Sequence, residues 1–214
     1  MIKFVAVDFD NTLAYHQGGK VRLFRLLRKY GISLFDIRAI YEQAKKESGL
    51  SVESLLRVAK EYTNTPLDRE AVTQDVEGWL RDSVACYPDA LLSVLEWRNA
   101  NVPVIIVTVG APEFQKKKVE LSGLPYDDLF VLDAVNKKSA TLQALLDHYG
   151  SPCIFVDDKA TELDAIRESG ISAHDVITFR IRRKNSPYYG QRPAHEHVNI
   201  KRLDDPLLMA HIVV

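Results

Sequence analysis

The sequence predicts an α/β protein with a Rossmann-like parallel sheet of about five strands and an inserted all-helical domain. Two observations support this fold class. Short, continuously apolar segments alternate with segments of helical periodicity over most of the chain, as is typical of a parallel sheet that helices cover on both faces. Between residues 18 and 85 this alternation stops, and helical periodicity recurs there without a strand-like segment.

The predicted strands are short runs of apolar residues. The first four are continuously apolar, which indicates strands that are buried on both faces. The fifth alternates, with Arg180 and Arg182 on one face, and is therefore predicted to lie at an edge of the sheet. The five segments are Ile2–Val7, Pro103–Val107, Leu129–Leu132, Cys153–Val156 and Val176–Ile181.

The predicted helices are longer segments with an apolar residue at every third or fourth position. Some lie between the predicted strands, where short connections predict right-handed crossovers. The others fill the insertion after the first strand. The first group comprises Pro112–Leu121, Ser139–Tyr149 and Thr161–Glu168, and the second comprises Val21–Tyr30, Leu34–Glu47, Ser51–Tyr62 and Pro66–Ser83.

We expect two domains. Residues 1–17 and 86–214 form the predicted α/β core, and residues 18–85 form the predicted helical domain. Gly18 and Gly19 lie in the connecting loop, where their conformational freedom would let the joint bend.

The last part of the chain is predicted to lie on the surface. The basic run Arg180–Lys184 is expected to be solvated, and residues 184–198 are expected to form an irregular loop. His195 and His197 are expected to be surface residues, because no cluster of cysteine or histidine completes a tetrahedral metal site around them.

Composition limits the function classes. The 214 residues are 46% hydrophobic and 27% charged, as in a globular protein, and a net charge of -1 argues against nucleic acid as the main partner. No apolar segment approaches the roughly 20 residues that a membrane-spanning helix needs. Cys86 and Cys153 lie outside any CxxC pattern, which indicates packing roles in a reducing compartment. With no leader pattern at the N-terminus, a cytoplasmic protein is expected.

Polar residues follow several predicted strands at the point where each strand ends. Ligands of parallel sheets bind beyond the carboxyl ends of the strands, so we expect these side chains to surround one site. Neighbouring carboxylates at such a site need a metal ion, a proton or hydrogen bonds to offset their repulsion. The residues are Asp8 and Asp10 after the first strand, Thr108 after the second, Asp157 and Asp158 after the fourth, and Lys137 and Lys138 before the helix at Ser139.

This pattern resembles the haloacid dehalogenase superfamily, most of whose members are Mg²⁺-dependent phosphatases and phosphotransferases. The resemblance rests on four motifs in order: "DFDNT" after a strand, a strand-terminal Thr108, a lysine before a helix, and "VDDKATELDAIRESGI" after another strand. It covers the chain from Ile2 to about Ile181 and identifies the helical insertion as the family's first-type cap.

The resemblance implies a role for each residue. Asp8 would attack phosphorus and form an aspartyl-phosphate, and Asp10 would act first as general acid and then as general base. Mg²⁺, which prefers hard oxygen ligands, would be held by Asp8, the main-chain carbonyl of Asp10, and Asp158. The phosphate oxygens would be bound by the Thr108 hydroxyl, the amides of Val109 and Gly110, and the Lys138 ammonium group.

Two choices stay open in the sequence. Either Asp157 or Asp158 could hold the metal, and Asp158 is favoured because Glu162 then occupies the position of the family's trailing acid. Lys137 and Lys138 are adjacent, and the spacing to Leu142 favours Lys138.

We expect the protein to be a Mg²⁺-dependent phosphatase that acts on a small phosphorylated metabolite. One alternative is a mutase that returns the phosphoryl group to the substrate. Another is a catalytically silent module that binds a phosphorylated ligand or a partner protein. A dehalogenase is less expected, because Asp10 is the acid that a phosphoester leaving group needs and a halide does not.

Overall fold

The structure is a computed structural model that describes residues 1–63, 66–133 and 138–212. Within this part of the chain, six parallel strands form one sheet and two short strands form another. The strands are β1 (Val5–Val7), β2 (Ala14–His16), β3 (Val84–Cys86), β4 (Val104–Val109), β5 (Asp128–Leu132), β6 (Cys153–Asp157), β7 (Val176–Ile181) and β8 (Val198–Ile200). The main sheet has the order β5-β4-β1-β6-β7-β8, and β2 pairs with β3. The predicted α/β class with a parallel sheet is confirmed.

The centre of the main sheet consists of the most apolar strands. β1 lies between β4 and β6, and Val5 is opposite Val104 on one side and Ile154 on the other. Phe4, which precedes β1, and Phe155 of β6 belong to one buried cluster beneath the sheet's helices. Because burying a side chain of this size contributes about 1.5–3 kcal/mol, these apolar runs fix β1 and β6 inside the fold.

The fifth predicted strand is not an edge strand. β7 lies between β6 and β8, and its Ile181 is opposite Ile200. Arg180 is buried, and its guanidinium donates a hydrogen bond of 2.9 Å to the main-chain carbonyl of Tyr188. The prediction was wrong because β8 has three residues, two of them exposed, and so leaves no apolar run in the sequence. The sheet therefore has six strands where about five were predicted.

The helices of the described residues agree with most of the predicted ones. The helices at Ala90–Asn99 and Pro206–Met209 are the exceptions. In the first, Leu91, Leu92 and Leu95 are exposed while Val94 and Trp97 are buried, so apolar residues surround the helix and hide its periodicity. The helices are α1 (Gly19–Leu27), α2 (Leu34–Ser48), α3 (Val52–Ala59), α4 (Arg69–Ser83), α5 (Ala90–Asn99), α6 (Pro112–Ser122), α7 (Lys138–Tyr149), α8 (Ala160–Glu168) and α9 (Pro206–Met209).

Side-chain caps define where α3 and α4 begin. At the start of α3, the Ser51 hydroxyl oxygen accepts a hydrogen bond from the Ser54 amide, and the Ser54 hydroxyl oxygen accepts one from the Ser51 amide. The Asp68 carboxylate caps α4 in the same way, accepting from the amides of Glu70 and Ala71. Each such cap contributes about 1 kcal/mol to helix stability.

The chain divides by its internal contacts into two compact units. The first comprises Met1–Ala14, Cys86–Val109 and Gly123–Val214, and the second comprises Tyr15–Ala85 and Gly110–Ser122. The second unit includes α6, since Phe114 packs in the apolar cluster of the inserted helices. The predicted domain limits at residues 17 and 86, and the identification of the insertion as a cap, stay predictions.

The described residues include no candidate for a membrane-spanning helix. None of the helices in this part of the chain is both long enough and apolar enough to cross a bilayer.

Candidate active site

The first acidic side chain reaches the edge of the sheet because β1 ends directly before it. The amide of Asp8 donates a hydrogen bond of 2.9 Å to the carbonyl of Val156, which continues the pairing of β1 with β6. A tight turn follows, in which the carbonyl of Phe9 accepts hydrogen bonds from the amides of Leu13 and Ala14, each at 3.0 Å. Asp8 is consequently buried at the carboxyl end of β1, whereas Asp10, inside the turn, is half-buried.

Three carboxylates meet at this edge. One oxygen of each of Asp8, Asp157 and Asp158 lies within 4.8 Å of the others, and all three side chains are buried. β6 ends at Asp157 beside β1, so the sheet itself brings the three together. Among the described residues, this group of neighbouring oxygens does not include one from Asp10.

A buried lysine joins two of the carboxylates. Lys138 is the first residue of α7, and its Nζ donates hydrogen bonds to Oδ1 of Asp8 at 2.6 Å and to Oδ2 of Asp157 at 2.7 Å. The other oxygen of Asp157 accepts a hydrogen bond of 2.8 Å from the amide of Lys159. Lys138, which the sequence favoured, is therefore at the site, and Lys137 lies outside the described residues.

Asp158 has a different partner. Its Oδ2 accepts a hydrogen bond from the hydroxyl of Ser186, and the Ser186 oxygen accepts one of 2.9 Å from the amide of Tyr188. The trailing acid Glu162 is also buried, and its carboxylate accepts a hydrogen bond of 2.9 Å from Nζ of Lys159.

Burial and mutual repulsion raise the pKa values of the carboxylates. Burial raises the pKa of Asp8 to about 7, although the Lys138 ammonium group beside it acts in the opposite direction. Burial, together with the charges of Asp8 and Asp157, raises the pKa of Asp158 to about 8. Lys138 can neutralise one of the three carboxylates, so the site favours a bound cation or a proton.

The predicted phosphate-binding residues lie at the end of the neighbouring strand. Thr108 and Val109 close β4, which pairs with β1, and Thr108 is buried. Gly110 belongs to the other compact unit and has a φ of +154°, where a Cβ would lie 2.6 Å from the side chain of Gln115. The structure thus brings Thr108 and Val109 to the same edge of the sheet as Asp8.

The segment after β7 contributes residues that the sequence analysis missed. The basic run was expected to be solvated, but Arg183 is buried and donates to both carboxylate oxygens of Asp89 at 2.9 Å. It also donates a hydrogen bond of 3.0 Å to the carbonyl of Thr12, in the turn that carries Asp10. The carboxyl end of β7 lies at the same edge as those of β1 and β6, so the rule that located the other residues also pointed to this segment.

The two histidines of this segment differ. His195 is partly exposed, as expected. His197 is buried, so its assignment to the surface was wrong: its Nε2 lies 3.0 Å from Oδ1 of Asp164, and its Nδ1 lies 2.8 Å from the hydroxyl oxygen of Thr178. A buried imidazole of this kind needs partners for both ring nitrogens, and only the folded chain brings them together.

Solved structures share this fold at low sequence identity. A haloacid dehalogenase-like hydrolase from Burkholderia xenovorans LB400 superposes with a TM-score of 0.73 at 20% identity, over 99% of this chain and 98% of the other. A defluorinating L-2-haloacid dehalogenase gives 0.68 at 13% identity, over 100% and 96%. A predicted phosphoglycolate phosphatase from Haemophilus somnus 129PT gives 0.61 at 12% identity, over 98% of both chains. At these identities the likeness shows the fold alone.

The sequence itself identifies the family. Among curated protein sequences, none matches this chain. The family model described as haloacid dehalogenase-like hydrolase does match it, from residue 2 to residue 170, which is most of the chain and includes the three clustered carboxylates and Lys138. The chain therefore belongs to the haloacid dehalogenase-like hydrolases.

Proposed function

We propose that this hydrolase is a Mg²⁺-dependent phosphatase that acts on a small phosphorylated metabolite through an aspartyl-phosphate on Asp8. The observation that carries the proposal is the buried cluster of Asp8, Asp157 and Asp158, with Lys138 bonded to two of its members. Burying such a cluster costs free energy unless a cation or a proton balances its charge, because buried carboxylates of like charge repel one another.

The donor set suits Mg²⁺. All three side chains offer carboxylate oxygens, the hard ligands that this ion prefers, and one ammonium group leaves most of their charge to be balanced. Asp8, Asp158 and the main-chain carbonyl of Asp10 would hold the ion. Asp157 is the less suitable ligand, since both of its oxygens already accept hydrogen bonds, from Lys138 and Lys159. When bound, the ion would neutralise the nucleophile and the phosphate oxygens.

The reaction would proceed in two displacements. A carboxylate oxygen of Asp8 forms a bond to phosphorus while the bond from phosphorus to the ester oxygen breaks. Asp10 donates its proton to that departing oxygen, and afterwards accepts a proton from the water that attacks the aspartyl-phosphate. Water then releases inorganic phosphate and restores the Asp8 carboxylate.

The phosphate oxygens would be bound by groups at the ends of neighbouring elements. Thr108 at the end of β4 and Lys138 at the start of α7 supply a hydroxyl and an ammonium group, and the amides of Val109 and Gly110 supply further donors. Fixed donors of this kind stabilise the charge that develops during phosphoryl transfer. A cytoplasmic location fits the proposal, since the two cysteines, Cys86 and Cys153, lie outside any CxxC pattern, as is typical of proteins in a reducing compartment.

A dehalogenase is the competing activity, because the fold is shared with a defluorinating haloacid dehalogenase as well as with a predicted phosphatase. Asp10 favours the phosphatase. A departing halide needs no proton, whereas a departing alkoxide does, and Asp10 lies two residues beyond the nucleophile in the turn after β1. A mutase would use the same residues and differs in returning the phosphoryl group to the substrate.

The test is a release assay with two kinds of substrate. We expect the protein to release phosphate from members of a panel of phosphate esters, and to release no halide from 2-haloacids. Chelation of Mg²⁺, or the substitution Asp8→Asn, should lower phosphate release by several orders of magnitude, as loss of a covalent nucleophile does. Asp204→Asn, which changes an exposed carboxylate paired with Arg202, is the matched control and should keep the activity.

The opposite results are equally clear. Release of halide without release of phosphate would identify a dehalogenase. Phosphate release that survives either chelation or Asp8→Asn would exclude the proposed mechanism. Isomerised phosphate esters in place of free phosphate would identify a mutase.

A further inference from the structure

The loop after β7 reaches the acidic cluster through one buried side chain, Ser186. Its hydroxyl donates to Oδ2 of Asp158, and its oxygen accepts a hydrogen bond of 2.9 Å from the amide of Tyr188. A serine hydroxyl has one hydrogen, and the Tyr188 amide occupies the acceptor side of the oxygen. The hydroxyl hydrogen is therefore directed at the carboxylate of Asp158.

The loop that carries Ser186 is itself held in place on both sides. Before Ser186, the guanidinium of Arg183 is fixed by Asp89, and the Arg183 carbonyl accepts a hydrogen bond of 3.0 Å from the Ser186 amide. After it, Oε1 of Gln191 accepts a hydrogen bond of 2.8 Å from the amide of Ala160, two residues beyond Asp158. The loop is thus anchored at two points, by Arg183 to Asp89 and by Gln191 to Ala160, so the Ser186 hydroxyl has a fixed position.

We propose that Ser186 is a positioning residue for the metal ligand Asp158: its hydroxyl fixes the orientation of that carboxylate within the cluster before the cation binds. The proposal rests on the proposed function only in taking Asp158 as a ligand of Mg²⁺. Without the hydroxyl, the carboxylate can rotate about its side-chain bonds, and one of its buried oxygens loses its donor. Partners that orient a ligand in this way typically contribute tenfold to hundredfold to metal affinity.

A purely structural role for Ser186 predicts a different effect of its substitution on stability and on Mg²⁺ affinity. If the residue served only to fold the loop, its loss would lower the melting temperature and leave the affinity for Mg²⁺ unchanged. The discriminating measurement is therefore the Kd of Mg²⁺ for the full chain without substrate, by titration calorimetry, with the melting temperature measured in parallel.

The expected result is a weaker affinity in Ser186→Ala, by about tenfold to hundredfold. Ser186→Thr keeps a hydroxyl at this position and should restore most of the affinity. Ser93→Ala is the matched control, because Ser93 is also a buried serine and its hydroxyl has no hydrogen-bond partner among the described residues. It should leave the Kd of Mg²⁺ unchanged.

Two further variants keep the test decisive. If Ser186→Ala does not fold, Ser186→Cys replaces it, since a thiol fills the same space but is a weak donor, and it should weaken Mg²⁺ binding. Gln191→Ala loosens the loop without removing the hydroxyl, so it should lower the melting temperature more than it changes the Kd.

The outcomes separate this proposal from the proposed function. If the wild type binds Mg²⁺ and Ser186→Ala or Ser186→Cys binds it equally well, the positioning role is overturned while the phosphatase stands. If Ser186→Ala weakens binding but the wild type releases no phosphate from any ester, the positioning role stands while the phosphatase falls. If the wild type binds no divalent cation, both are overturned.

Discussion

At the scale of the residue, the neighbouring carboxylates Asp157 and Asp158 have different surroundings, from which we expect different roles. Both oxygens of Asp157 accept hydrogen bonds, from the ammonium group of Lys138 and the amide of Lys159. Asp158 accepts one from the hydroxyl of Ser186, through Oδ2. Asp157 is thus the counterion that holds Lys138 in a buried position, and Asp158 is the carboxylate with coordinating capacity to spare.

This difference predicts opposite effects for the two substitutions to asparagine. Asp158→Asn should weaken Mg²⁺ binding by more than the tenfold to hundredfold that loss of an orienting partner costs, and should change the melting temperature little. Asp157→Asn should destabilise the fold by about 3–5 kcal/mol, because it removes a carboxylate from a buried ion pair. Calorimetric titration with Mg²⁺ and thermal unfolding of both variants measure the two effects.

Asp204→Asn again serves as the control for loss of one negative charge at an exposed position. If Asp157→Asn loses Mg²⁺ binding while Asp158→Asn keeps it, the roles of the two residues are reversed.

Some residues of the site could be predicted from the sequence, and others could not. Asp8 and Asp158 directly follow strands and Lys138 begins a helix, so the positions of strand ends and a helix start were enough to bring them together. Ser186 lies in a loop with no periodicity, and its partner Asp158 is 28 residues away in the sequence. A hydrogen bond between two such residues depends on the path of the loop, which no local pattern specifies.

At the scale of the element, apolar runs predicted the central strands correctly, whereas the basic run led to a wrong prediction of solvent exposure. The positions of β1, β4 and β6 follow from continuous burial. The basic run is predicted to be solvated because charged residues are seldom buried without a partner. Arg183 has one, Asp89, but the two are 94 residues apart, so only the folded chain reveals the pair.

A buried hydrogen-bond network, separate from the acidic cluster, joins α8, β7 and the segment before β8. Asp164 of α8 accepts hydrogen bonds from the amides of Ala194 and His195, each at 3.0 Å, and its carboxylate contacts Nε2 of His197. On the other side of the ring, the hydroxyl of Thr178 in β7 contacts Nδ1. The network fastens the segment before β8 to the rest of the sheet.

This network predicts a loss of stability in weak acid. Burial lowers the pKa of His197 below its usual value, with Arg167 and His195 acting in the same direction and Asp164 opposing them. The unfolded chain then binds a proton near pH 6.5 that the folded chain does not. The contribution of His197 to the free energy of unfolding is therefore complete above that pH and declines as the pH falls below it.

The measurement is the free energy of unfolding at several values between about pH 7 and pH 5, for the wild type and for His197→Gln. We expect His197→Gln to be less stable at neutral pH and to lose less stability on acidification. His195→Gln, which changes a partly exposed histidine, should keep the dependence of the wild type. Parallel curves for the wild type and His197→Gln would contradict the prediction.

At the scale of the whole molecule, each compact unit has an apolar core of its own. The cluster around Phe4 and Phe155 lies in the first unit, and the cluster around Trp79 and Phe114 lies in the second. The acidic site belongs to the first unit alone, since Asp8, Lys138, Asp157, Asp158 and Ser186 all lie in it. A metal ion bound there would stabilise that unit directly, by binding its folded state and not its unfolded state.

Saturation with Mg²⁺ should consequently raise the melting temperature. At a concentration of about a hundred times Kd, the ligand adds about 2.7 kcal/mol to the free energy of unfolding. For a chain of this size, that corresponds to an increase of about 5–10 °C. Differential scanning calorimetry with Mg²⁺ and with chelator measures the increase, and Asp158→Asn should abolish it.

The second unit contains none of the clustered carboxylates. We therefore expect Mg²⁺ to shift the calorimetric transition in which the parallel sheet unfolds. Far-ultraviolet circular dichroism monitors the loss of the sheet. An equal shift in Asp158→Asn would show that Mg²⁺ acts elsewhere on the protein.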